Sequence, residues 1–187
     1  MGPRVSIQTQ DFNLADEIVA LQGPDKRVGA VCSFVGTVRG ANMAPTLAAG
    51  AAALPPEGAL PPRGGPSPAE GNNGPQVLSM ELEHYPGMTE KAIEAMIDEA
   101  HRRFDIYGAR VIHRIGVLQP LDQIVMVAVT SAHRGESFKA CEFLMDYLKT
   151  QAPFWKKEQT PQGAHWVDAR VTDDAALARW GIEKPNT

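Results

Sequence analysis

The chain has 187 residues, enough for one domain with a real core, and its 43% hydrophobic and 21% charged content is ordinary for a soluble globular protein. A net charge of −4 argues against a nucleic-acid binder, and no apolar run is long enough to span a membrane. Two cysteines, Cys32 and Cys141, sit in apolar patterns and read as buried free thiols rather than a disulfide or a nucleophile. No signal-peptide pattern opens the sequence, so the expected location is cytoplasmic.

Arg4 to Thr9 alternates and predicts a short strand. Asn13 is a candidate cap for a helix through Leu21, with Leu14, Ile18 and Leu21 on one side and Gly23 ending it. Val28 to Val38 predicts the next strand. Gly36 within it invites close approach by a backbone or a ligand, and Arg39 stands at its end as an ordinary exposed charge. Residues 41–76 differ in kind. They hold eight of the fifteen prolines and only three charges, Glu57, Arg63 and Glu70, and follow no period. This segment reads as a disordered insert within one domain, because neither flank alone has the strands to close a sheet.

Val77 to His84 predicts a strand with Leu78, Met80 and Leu82 on its apolar face and Glu81 and Glu83 on a solvated one. A helix follows from Met88 to Phe104, its stripe being Ile93, Met96, Ile97, Ala100 and Phe104. Arg110 to Leu118 and Ile124 to Ser131 predict two strands whose short linker makes them an antiparallel pair. His165 to Val171 predicts a last strand, and a short helix from Asp173 ends near Trp180. The mixture is α+β with a largely antiparallel sheet.

The central stretch, Ile124 to Glu158, carries the features that suggest chemistry. A buried strand turns through His133 and Arg134 into a helix with Phe138, Cys141, Met145 and Leu148 as its core-facing stripe. Imidazole and guanidinium beside free backbone N–H groups make a natural anion site. Lys149 and Lys156 bracket the helix exit at Pro153, and a lysine near other cations loses its proton more readily. The locally basic stretch within an acidic chain suits a small anionic substrate. The ordinary alternative is a solvated basic face. The histidines show no ligand spacing and no Cys-x-x-Cys occurs, so no metal site is expected; GxGxxG and P-loop motifs are absent.

Six segments together resemble the MoaE family, the large catalytic subunit of molybdopterin synthase: Phe34–Arg39 (FVGTVR), Leu82–Met88 (LEHYPGM), Val111–Gly116 (VIHRIG), Thr130–Arg134 (TSAHR), Met145–Lys149 (MDYLK) and Ala152–Glu158 (APFWKKE). The resemblance implies an α/β hammerhead-like fold with an added antiparallel β subdomain. It implies a sulfurtransferase that makes the dithiolene of molybdopterin from cyclic pyranopterin monophosphate, with no resident cofactor. Sulfur would come from the C-terminal Gly-Gly thiocarboxylate of a separate, small ubiquitin-like (MoaD-type) subunit, in a heterotetramer built on a homodimer of large subunits. Matched residue by residue, the family's pocket lysines fall on Lys149 and Lys156. Its substrate-binding residues fall on Arg39, His133, Arg134 and, from the neighbouring large subunit, Arg170. The departure is the segment after Arg39, where this chain inserts about thirty residues. Two rivals stand beside this reading: a non-catalytic scaffold that binds a ubiquitin-like tail, and a phosphate-ester enzyme that needs no partner.

Overall fold

The computed structural model describes residues 2–40, 76–167 and 179–181. The expected insert, apart from Gln76, lies outside them, as do Arg170 and most of the helix expected from Asp173. In chain order the elements are β1 (Val5–Gln8), α1 (Leu14–Gln22), β2 (Ala30–Thr37), β3 (Ser79–His84), α2 (Met88–Arg103), β4 (Ile106–Arg114), β5 (Gly116–Leu118), β6 (Gln123–Ser131), α3 (Arg134–Gln151), β7 (Phe154–Thr160) and β8 (Gly163–Val167).

Local chemistry explains several boundaries. The Asn13 carboxamide oxygen accepts from the Ala15 amide at 2.9 Å, and Gly23, at φ 51°, ends α1 where a side chain would be strained. The Glu90 carboxylate accepts from the Gly87 amide at 2.6 Å at the start of α2. β6 is the apolar centre of the first sheet, with Met126 to Val129 fully buried.

Two four-stranded sheets result, ordered β1-β4-β6-β2 and β5-β3-β7-β8. Among the described residues only β1 and β4 pair in parallel, so the α+β, largely antiparallel reading holds. α2 and α3 pack against the first sheet over the main core, which includes Ile93, Met96, Val127, Val129, Phe143 and Leu144. Phe104 meets Phe143 edge to face at 5.7 Å between centroids. A smaller cluster of Val38, Met80, Leu82 and Leu118 joins the second sheet to the end of β2.

Four expectations need correction. The strand expected over Arg110–Leu118 is two strands, because Gly116 turns at φ 80° and sends β5 into the other sheet. Residues Phe154–Thr160 form a strand that their polar, lysine-rich composition hid; pairing with β3 and β8 on either side imposes it. The last strand begins at Gly163 rather than His165. Leu78 is exposed, since β3 proper begins one residue later.

The stripe on α3 is also rotated from the expected one. Ser137, Ala140, Cys141, Leu144 and Leu148 are buried, whereas Phe138 is 58% exposed. The reason is position: β2 is an edge strand, so the outer part of the stripe overhangs the sheet and lines a hollow instead of the core.

Candidate active site

α3 carries candidate residues at both ends. At its start, His133 and Arg134 are exposed and border an open hollow of about 610 Å³ with Gly29, Ala30, Ala132 and Gly135. Gly29 is required there: a Cβ would lie 2.4 Å from the Ala132 carbonyl oxygen. The Ser131 hydroxyl donates to the His133 carbonyl at 2.8 Å and fixes the turn into the helix. His133 supplies no side-chain cap, so the helix N-terminus is open to an anion.

At the far end, Lys149 lies in the last turn and borders a hollow of about 330 Å³ with Cys32, Ser33, Phe34, Phe138, Met145 and others. Asp146 in the same hollow accepts from the Trp180 indole Nε1 at 2.8 Å and from Arg179 at 2.9 Å. The chain then turns at Ala152–Pro153 into β7. Lys156 stands opposite Leu82 of β3, so it shares a face with a residue of the cluster that contains Val38. Arg39 follows Val38, whose amide donates to the Asp122 carbonyl at 2.9 Å at the start of β6.

The six candidate residues thus divide. β6 is antiparallel to β2, and α3 returns over both, so Lys149, Lys156 and Arg39 lie toward one end of the sheet and His133 and Arg134 at the other. A rise of 1.5 Å per residue puts Arg134 and Lys149 roughly 22 Å apart along α3. Arg170 lies outside the described residues.

Sequence reasoning missed Glu158. It is only 3% exposed, and its carboxylate lies 3.8 Å from the Lys156 Nζ and 3.8 Å from the His165 Nε2. A buried carboxylate of this kind orients its lysine. The signal was available, because positions two apart on a strand share a face, but it required reading β7 as a strand. Gly36, flagged for close approach, meets a side chain rather than a ligand: its Cβ would lie 2.9 Å from a Val125 methyl.

Behind the α3–β7 corner, His113 stacks on Phe154 with centroids 3.8 Å apart. Its Nδ1–H donates to the Arg114 carbonyl at 2.8 Å, and burial lowers its pKa to about 4, so the ring is neutral. Among the described residues no three His, Cys, Asp or Glu side chains gather as a metal set, and no helix is long and apolar enough to cross a membrane.

The family model described as MoaE protein matches residues 69–151. The molybdopterin synthase catalytic subunit of Ralstonia nicotianae is 52% identical over 98% of this chain and 88% of its own length. The chain belongs to the family of molybdopterin synthase catalytic subunits. The Escherichia coli member is 42% identical over 95% of this chain and 97% of its own. In structure, the MoaE protein of Burkholderia ambifaria matches with a TM-score of 0.69 at 50% identity, covering 96% of this chain and 98% of that one. Molybdenum cofactor biosynthesis is therefore the setting of this chain.

Proposed function

We propose that the chain provides the sulfur-transfer site of molybdopterin synthase, acting on cyclic pyranopterin monophosphate with a small ubiquitin-like subunit. The thiocarboxylate tail of that subunit enters the corner between α3 and β7. What supports this reading is that topology puts Arg39, Lys149 and Lys156 toward one end of the sheet, with buried Glu158 beside Lys156.

In the transfer, sulfur bonds to a side-chain carbon of the pterin and the thiocarboxylate C–S bond breaks. Oxygen from water takes its place, and the tail leaves as a carboxylate. The tail carbonyl develops negative charge on the way, and the Lys149 ammonium stabilises it. Lys156, held by Glu158, orients the substrate or moves a proton. A dithiolene needs two sulfurs, so two charged tails are consumed per product. The substrate phosphate suits bidentate guanidinium binding by Arg39 and Arg134.

The separation along α3 gives the second large subunit a role. His133, Arg134 and Arg170 would reach the Lys149 corner from the neighbouring copy, which makes the homodimer part of the site. The test is mass spectrometry of the product after mixing this protein with thiocarboxylated small subunit and cyclic pyranopterin monophosphate. Molybdopterin is the expected product; unchanged substrate would overturn the proposal.

A further inference from the structure

The fold brings the two cysteines to one hollow although they are distant in the chain. Cys32 lies on β2 and is partly exposed; Cys141 lies on α3 and is buried. Cys32 is opposite Val129 on β6, and the Cys141 Sγ lies 4.0 Å from the Val127 carbonyl oxygen two residues back on that strand. Val127, Val129 and Cys141 belong to one buried cluster, and Cys32 packs against it. Both side chains line the hollow that Lys149 borders.

We propose that Cys32 and Cys141 are a modification site: a reversible intrachain disulfide that staples edge strand β2 to α3 in the wall of the Lys149 hollow. The proposal does not rest on the sulfur-transfer reading. Cys32, the thiol nearer solvent, meets the oxidant. A hydroperoxide transfers one oxygen to the Cys32 sulfur, leaving Cys32 as a sulfenic acid and the peroxide reduced to an alcohol or water. The Cys141 sulfur then bonds to the Cys32 sulfur, the S–O bond breaks, and the hydroxyl departs as water with the Cys141 proton. The peroxide receives two electrons in all, and both thiol hydrogens end in its products. Burial pushes the Cys141 thiol well above its usual range, so the resolving step is slow at neutral pH and quickens in alkali.

The test uses the full chain treated with hydrogen peroxide and followed by thiol titration, intact mass and peptide mapping without reductant. The expected result is loss of both titratable thiols together and a monomer lighter by two hydrogens. A peptide joining Cys32 to Cys141 appears, is reversed by dithiothreitol, and accompanies a raised Tm. In Cys141→Ala the Cys32 sulfenic acid instead accumulates and is trapped by dimedone. A sulfinic or sulfonic Cys32 beside a still titratable Cys141, chains joined Cys32 to Cys32, or two unreacted thiols would each overturn the proposal. The wild-type measurement stands by itself if Cys141→Ala folds poorly.

Discussion

The two ends of α3 present exposed basic groups beside open hollows and differ in what stands next to them. At the start, His133 and Arg134 stand exposed around an open hollow, at a helix N-terminus without a side-chain cap. At the finish, Lys149 is also exposed and borders a second open hollow, but half-buried Lys156 has the buried Glu158 carboxylate 3.8 Å from its Nζ, and the Asp146–Trp180 hydrogen bond and the His113–Phe154 stack lie on the same elements. An open, positively polarised helix end binds an anion well but cannot exclude water from it. A buried carboxylate can hold an ammonium in place where charge develops. Under the proposed function, the difference assigns binding and chemistry to opposite ends of one helix.

The sharpest break in that division is Lys149→Ala. Product formation should fall by about 10²-fold or more with little change in KM, because the interaction is made mainly in the transition state. Fluorescence of oxidised molybdopterin measures it, and undiminished turnover would remove Lys149 from the mechanism.

Next is the acid stability around the His113–Phe154 stack. The His113 pKa is about 4 in the fold, against about 6.5 unfolded. Between these values the unfolded chain binds the extra proton, so stability is full above the unfolded value and is lost as pH falls toward the folded one. The loss is on the order of 3 kcal/mol. Denaturant titrations at pH 7 and pH 4.5 measure it, and His113→Gln should flatten the dependence.

Glu158→Gln should lower kcat by roughly 10-fold while the chain stays folded, since the amide fills the space but no longer fixes the Lys156 charge. An effect confined to KM would place Glu158 in binding instead. Arg134→Ala should be smallest in kcat and should raise KM by roughly 10-fold through the lost charge-assisted bonds to phosphate. A kcat effect equal to that of Lys149→Ala would erase the distinction between the ends.

Much of this was legible in the chain itself. Asn13 and Gly23 marked both ends of α1, and the Ile93–Met96–Ile97–Ala100 stripe marked α2, because caps and helical periods are local signals. The strand β7 was not legible: Lys156, Lys157 and Glu158 look solvated until β3 and β8 flank them. The rotation of the α3 stripe depended on β2 being an edge, a fact of topology. The contact of Cys32 with Cys141 depends on β2 packing under α3, which no local pattern contains. For the site, residue types and their positions on elements were readable. The separation of His133 and Arg134 from Lys149 followed only once α3 was seen as one unbroken helix.

That separation gives the most direct test. Lys149→Ala and Arg134→Ala chains, each nearly inactive under subsaturating substrate, are unfolded together, refolded as mixed dimers and assayed with charged small subunit. If each site joins Lys149 of one copy to Arg134 of the other, half of the dimers are mixed and each regains one intact site, so about a quarter of wild-type activity returns. Activity no higher than the average of the two separate variants would contradict the account.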